Sequence, residues 1–182
     1  RACSMLRDMG TEFRCDIVGD GPVYQQLQNQ ICNEGLEEHV TLYGTLSSID
    51  IVQLLAKAWI FVLPCVRISG GQGDHPGKFV SVVEDGIPSS IVEAMAVGLP
   101  VVTTDVGSLP EIVENSVNGI VISERDSDGL SKALLQLIDD SSLRDKLGSQ
   151  ARKLIVSDFD TAVCTNVLSS LMSRAINNRR VV

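Results

Sequence analysis

The sequence predicts an α/β fold, a doubly wound and mostly parallel sheet with helices on both faces. Three observations lead there. Short apolar runs alternate with segments of helical periodicity. The run Trp59–Leu63 is almost wholly apolar, as strands buried on both faces of a parallel sheet are. Glycine or proline punctuates the junctions, and strand–helix alternation implies right-handed βαβ units.

The elements follow in order. Phe13–Val18 reads as a buried strand ending at Gly19. Gly21 and Pro22 then open a helix that carries Val23, Leu27 and Ile31 on one face and stops at Gly35. Val40–Tyr43 is the second strand. Ser47 or Ser48 caps the next helix, whose apolar face is Ile51, Leu54, Leu55 and Ala58. Ile60–Leu63 is the third strand, halted by Pro64. A long polar loop spans roughly residues 67–86, and loops of that length in compact domains are usually functional. Pro88 starts a helix that Gly98 ends. Val101–Thr103 is the fourth strand, a short helix lies near Leu109–Val113, and Gly119–Ile122 is the fifth strand. Three helical patterns close the chain, marked by Leu130, Leu134, Leu137 and Ile138, then Leu143, Leu147, Leu154 and Ile155, then Val163, Val167, Leu171 and Ala175. Asp126 or Ser127, Ser141 and Asp160 are the candidate N-caps. The organisation expected is one lobe over residues 1–158, with a helix and basic tail over 159–182.

Composition narrows the function. The 182 residues are 44% hydrophobic, enough for a packed core, and carry a net charge of −8. An acidic chain with 4% aromatics is neither a general phosphate-backbone binder nor a stacking platform, so no nucleic-acid partner is expected. Five cysteines, Cys3, Cys15, Cys32, Cys65 and Cys164, form no CxxC, and only His39 and His75 could join them. No zinc site is expected, and several of the cysteines read as small buried hydrophobes in a reducing, cytoplasmic setting. No apolar run reaches the length of a membrane span.

In a doubly wound sheet, ligands bind at the carboxyl ends of the strands. That points to the loops after Val18, Tyr43 and Leu63. The turn IVGDGP, Ile17–Pro22, could present backbone N–H groups to an anion, but its glycines do not match the dinucleotide fingerprint. On these residues alone it is a tight strand-to-helix turn. The segment Asp85–Val102 carries more chemistry. Ser89 and Ser90 fall in the first turn of a helix, where unpaired N–H groups and the positive helix end suit a phosphate. Glu93 lies about one turn further on. Its carboxylate could accept two hydrogen bonds from a diol such as a ribose. A lone charge within IVEAMAVG is also expected to need a partner. Tyr43 reads equally well as a strand-end core aromatic and as a site residue. His75 is left unassigned.

The ordered set IVGDGP, VTLYG, FVLPC, DGIPSSIVEAMAVGLPVVTTDVGSLPEIV and NGIVI resembles the nucleotide-binding lobe of group 1 glycosyltransferases. These are retaining enzymes of the two-lobed GT-B architecture, whose lobes are Rossmann-like. The resemblance covers most of residues 13–122 and implies roles. Two acids separated by seven positions, Asp85 and Glu93, would serve the donor sugar and the ribose hydroxyls respectively, making Asp85 the catalytic-site candidate. Asp85 stands where glutamate is commoner, and its reach is shorter. Ser89 and Ser90 would offer backbone N–H groups to the diphosphate. Tyr43, Gly44 and Thr45 would pack on the base, with Gly19 and Asp20 lining the same cleft. No metal or separate cofactor is implied, only a nucleotide-diphosphate sugar of UDP or GDP type as donor. The Pro-Cys after the third strand and the Asp-Gly-Ile-Pro loop resemble polysaccharide-assembling members. An acceptor glycan or lipid-linked sugar is the implied partner, with peripheral contact at the cytoplasmic face of a membrane.

The resemblance further implies that the chain is the carboxy-terminal lobe, with the family's first strand, its Arg and Lys phosphate clamp and its acceptor lobe before Arg1. The sheet should then show a gap or an unpaired edge, and the chain alone should bind nucleotide weakly and transfer no sugar. A nucleotide-sugar epimerase of the same architecture and a non-enzymatic α/β binding module are the alternatives. A receiver module would need clustered acids after its first strand and a lysine near its last, and neither is present.

Overall fold

The computed structural model describes residues 1–67 and 86–179. The loop expected over 67–86, with Asp85 and His75, therefore lies almost wholly outside the described residues, as does the end of the basic tail.

The described chain runs α1 (Ala2–Asp8), β1 (Cys15–Val18), α2 (Tyr24–Asn33), β2 (Val40–Gly44), α3 (Ser48–Leu55), β3 (Phe61–Leu63), α4 (Ser89–Val97), β4 (Val101–Thr104), α5 (Leu109–Ile112), β5 (Gly119–Ile122), α6 (Ser127–Asp139), α7 (Ser141–Leu154), a π turn (Ile155–Phe159) and α8 (Thr161–Arg179). All strand pairings between these elements are parallel. They form two sheets, β1–β2 and β3–β4–β5. Each predicted strand is present, and among the described residues no strand pairing joins the two sheets.

The core gathers on both faces of β4. Val101 joins Ile91 and Met95 of α4, Val106, Leu109, Ile112, Val113 and Ala151. Val102 faces the other way, onto Ala133, Leu137 and Leu147 of α6 and α7. All four residues of β4 are buried, so its two threonines need partners. Thr103 Oγ1 donates to the Leu63 carbonyl at 2.8 Å and Thr104 Oγ1 to that of Cys65 at 2.7 Å.

The amino-terminal half is more thinly covered. Neither α2 nor α3 buries a residue fully. The expected faces are correct but shallow: Leu27, Ile31, Ile51, Leu54 and Leu55 are half-buried, while Val23 is exposed. Helix α1 packs on α6 and reaches the end of α2, where Ser4 donates to the Glu34 carboxylate and Arg7 to the Glu34 carbonyl.

Several expectations need correction. The third strand begins at Phe61, and Trp59 is 62% exposed, with the Arg144 guanidinium 4.5 Å above its ring. Among the described residues strand β3 pairs on one side only, with β4, and its residues are half-buried despite their uniform apolarity. The cap of α7 is Asp140, whose side chain accepts from Leu143 N at 2.9 Å, because Ser141 is already helical. Asp126 caps α6 and Ser47 caps α3. No cysteine is fully buried; Cys32 and Cys164 are exposed. Val163, Val167 and Leu171 keep their helical spacing in α8 but stand exposed. Among the described residues no helix is long and apolar enough to cross a membrane.

Buried Asn118 organises the turn before β5. Its Nδ2 donates to the Ile112 carbonyl at 2.9 Å and its Oδ1 accepts from Glu114 N at 2.8 Å. Asn118→Ala orphans both backbone groups. We expect a loss of about 1–3 kcal/mol, read from the urea midpoint.

Candidate functional site

Two groups of candidate residues form at strand ends. At the first, β1 stops at Gly19, whose backbone takes φ 133°, a region open mainly to glycine. Gly19 N donates to the Gly44 carbonyl at 2.8 Å, so the end of β1 meets the end of β2. Gly44 is itself left-handed at φ 65°. Asp20 Oδ1 accepts from Gly21 N at 2.8 Å, which tightens the turn into α2. Thr45 is exposed beyond Gly44. Gly19, Asp20, Gly44 and Thr45 thus share one edge of the β1–β2 pair.

Tyr43 belongs to the same strand end, but its hydroxyl is taken by Arg14, which precedes β1. Arg14 also donates to Asp16 at 2.8 Å. The hydrogen bond and charge of Asp16, with the field of Tyr43, hold the guanidinium proton above its ordinary range. Tyr43 therefore lies along the exposed side of the β1–β2 pair. The alternation Arg14, Asp16, Val18 within Phe13–Gly19 was the signal for this exposed face, and the reading of that segment as a buried strand passed over it.

The second group is at the start of α4. Helices between parallel strands run back against them, so the amino terminus of α4 lies at the carboxyl end of β3. Cys65 and Ile87 confirm this by packing against the same core cluster. Pro88 occupies the N-cap with φ −62° and has no side chain that could satisfy the first turn. Among the described residues no side chain caps the N–H groups of Ser89 and Ser90, while Ile91 N donates to the Pro88 carbonyl at 3.1 Å. Ser89 is exposed and Ser90 half-buried. Ile91, Ala94 and Met95 anchor the opposite side of the helix in the core. That anchoring turns Glu93 to solvent. The lone charge thus needs no protein partner, contrary to expectation: exposure removes the desolvation cost, and Glu93 has no ion pair among the described residues.

Sequence reasoning missed a third feature at this edge. Arg67 N donates to Glu124 Oε2 at 2.7 Å, and its guanidinium donates to the Asp105 carbonyl at 2.9 Å. The chain leaving β3 is tied by these bonds to the ends of β4 and β5. Arg67 and Glu124 are 57 residues apart, and nothing local marks the pairing. Two surface depressions among the described residues, of about 260 and 680 Å³, lie elsewhere, against Gln136 and Leu143 and against Glu111 and Lys153.

Residues 1–154 match the family model for glycosyl transferases group 1. The chain is 33% identical over 173 residues to a protein of Salmonella typhimurium described as a colanic acid biosynthesis glycosyltransferase, WcaL, covering 94% of this chain and 40% of the relative. It is 31% identical over 173 residues to the amylovoran biosynthesis glycosyltransferase AmsK of Erwinia amylovora, covering 95% and 40%. The chain therefore spans about two fifths of the length of these relatives. Among solved structures, Anabaena Alr3699/HepE in complex with UDP-glucose superposes with a TM-score of 0.69 at 26% identity, over 88% of this chain and 41% of that one.

Proposed function

Because this chain belongs to the group 1 glycosyltransferases, we propose that it is the lobe that holds the nucleotide-sugar donor in a retaining sugar transfer. The observation that carries the reading is the start of α4: a helix end with no side-chain cap among the described residues, followed one turn later by an exposed carboxylate. The open N–H groups at Ser89 and Ser90 and the positive helix end favour a diphosphate. They would also stabilise the charge that grows on it as the sugar leaves. Glu93 accepts from the two ribose hydroxyls. The edge formed by Gly19, Asp20, Gly44 and Thr45 receives the base, with Tyr43 beside it. Asp85 would serve the sugar hydroxyls.

The donor is of UDP or GDP type, and the acceptor is a glycan or lipid-linked sugar at the cytoplasmic face of a membrane. The names of WcaL and AmsK support a polysaccharide product. The complex of HepE with UDP-glucose supports a nucleoside-diphosphate donor.

The test is a calorimetric titration of the chain with UDP, GDP, uridine and guanosine. One diphosphate should bind at least about tenfold more tightly than its nucleoside, a difference of about 1.4 kcal/mol. Equal affinity for diphosphate and nucleoside would remove the helix end from the site.

A further inference from the structure

The chain leaving β3 is stitched across the carboxyl edge of its sheet by groups from both later strands. Thr103 Oγ1 donates to the Leu63 carbonyl at 2.8 Å and Thr104 Oγ1 to that of Cys65 at 2.7 Å. Arg67 N donates to Glu124 Oε2 at 2.7 Å, and the Arg67 guanidinium donates to the Asp105 carbonyl at 2.9 Å. Its Nη1 also lies 3.9 Å from Glu124 Oε1. The acceptors are themselves held. Asp105 N donates to the Ile122 carbonyl at 3.2 Å, which joins the ends of β4 and β5. Glu124 sits in the turn from β5 into α6, where Arg125 is left-handed at φ 61° and Asp126 caps the helix.

We propose, on the reading of the α4 start as the diphosphate site, that Glu124 and Arg67 are positioning residues of that site. They hold the run Leu63–Arg67 so that the first turn of α4 keeps the place in which it receives the diphosphate. Cys65 of the run and Ile87 of the entrance to α4 pack against one core cluster, which includes Ile91 of the first turn. The run and the helix start therefore share a wall, and displacing one displaces the other. Backbone donors hold an anion only while they point at it, so a small shift of Ser89 and Ser90 lowers affinity.

The chemistry of the tie suits this role. A carboxylate accepts from a backbone N–H through a charge-assisted bond, which fixes direction as well as distance. The side chains of Arg67 and Glu124 remain 62% and 30% exposed, where an ion pair adds little to stability. What the pair fixes is the path of the chain at the carboxyl edge, where α4 begins.

The experiment titrates the chain and its variants calorimetrically with UDP, uridine, GDP and guanosine. Glu124→Ala should bind the diphosphate that the parent prefers about fivefold more weakly, with nucleoside affinity within about twofold of the parent. Glu124→Gln keeps an acceptor oxygen for Arg67 N and should recover most of the loss. Arg67→Ala keeps its backbone donor and should lose about twofold to threefold. Asn118→Ala weakens the fold in the turn before β5 but leaves the tie intact, and it should keep the parent's preference for the diphosphate. Circular dichroism checks that each variant folds. A folded Glu124→Ala chain with the parent's diphosphate preference would overturn the proposal, as would equal losses for diphosphate and nucleoside. If Glu124→Ala does not fold, Arg67→Ala decides by the same comparison. Equal affinity of the parent itself for diphosphate and nucleoside would remove the α4 start from the site, and the proposal with it.

Discussion

Replacing Gly148 by alanine should destabilise the chain by about 1–3 kcal/mol, despite putting a better helix former inside a helix. Gly148 lies in α7 where that helix crosses the end of α4. A Cβ there would stand 2.0 Å from the Gly98 carbonyl oxygen, 3.0 Å from its carbon and 3.5 Å from Pro100 Cδ. These neighbours cannot swing aside as a side chain would. Gly98 is the left-handed C-cap of α4 at φ 92°, and Pro100 leads directly into the fully buried Val101. Relief requires α7 to move off α4, which loosens Leu147 and Ala151 in the two halves of the core. The propensity gain of alanine over glycine is about 1 kcal/mol and is outweighed by the cost of separating packed backbones. A fall in thermal midpoint of about 2–4 °C per kcal/mol is expected for a chain of this size. Gly21→Ala is the control: its added Cβ meets nothing within 4 Å. A Gly148→Ala chain as stable as the parent would show that the contact of α7 with α4 tolerates displacement.

Glu93→Ala should weaken nucleoside-diphosphate binding by about 1.5–3 kcal/mol, the range for hydrogen bonds to a charged group. The loss should appear for nucleosides as well as diphosphates, because the contact argued for is with the ribose. It should be smaller for Glu93→Gln, which keeps one acceptor oxygen. Folding should be unaffected, since Glu93 is exposed and alanine suits a helix. Calorimetric titration of the stably folded variant decides the matter, and an unchanged affinity would exclude Glu93 from the ribose site.

Much of the architecture was legible in the residues because its causes are local. The run Val101–Thr103 reads as a strand, and the structure forms it over Val101–Thr104 with all four residues buried. Gly98 and Pro88 bound α4 because one supplies a left-handed backbone and the other cannot continue a helix backwards. The motif at Ser89–Glu93 was legible because chemistry at a helix start depends on residues within one turn of each other.

Depth of burial and long-range pairing were decided elsewhere. Val163, Val167 and Leu171 have the spacing of a core face and lie exposed, because periodicity says which residues share a face and nothing about whether another element covers it. Trp59 and β3 carry an apolar run of the kind that β4 buries, yet among the described residues β3 has a neighbour on one side only. Arg14 with Tyr43 and Arg67 with Glu124 are each separated by stretches of chain whose path no local pattern encodes. By itself the sequence determined where the strands and helices lie, to within a residue or two at their ends, and which acid stands one turn into α4. Only the tertiary structure decided which faces are covered and which distant polar groups meet, because both depend on how finished elements pack and not on the residues within any one of them.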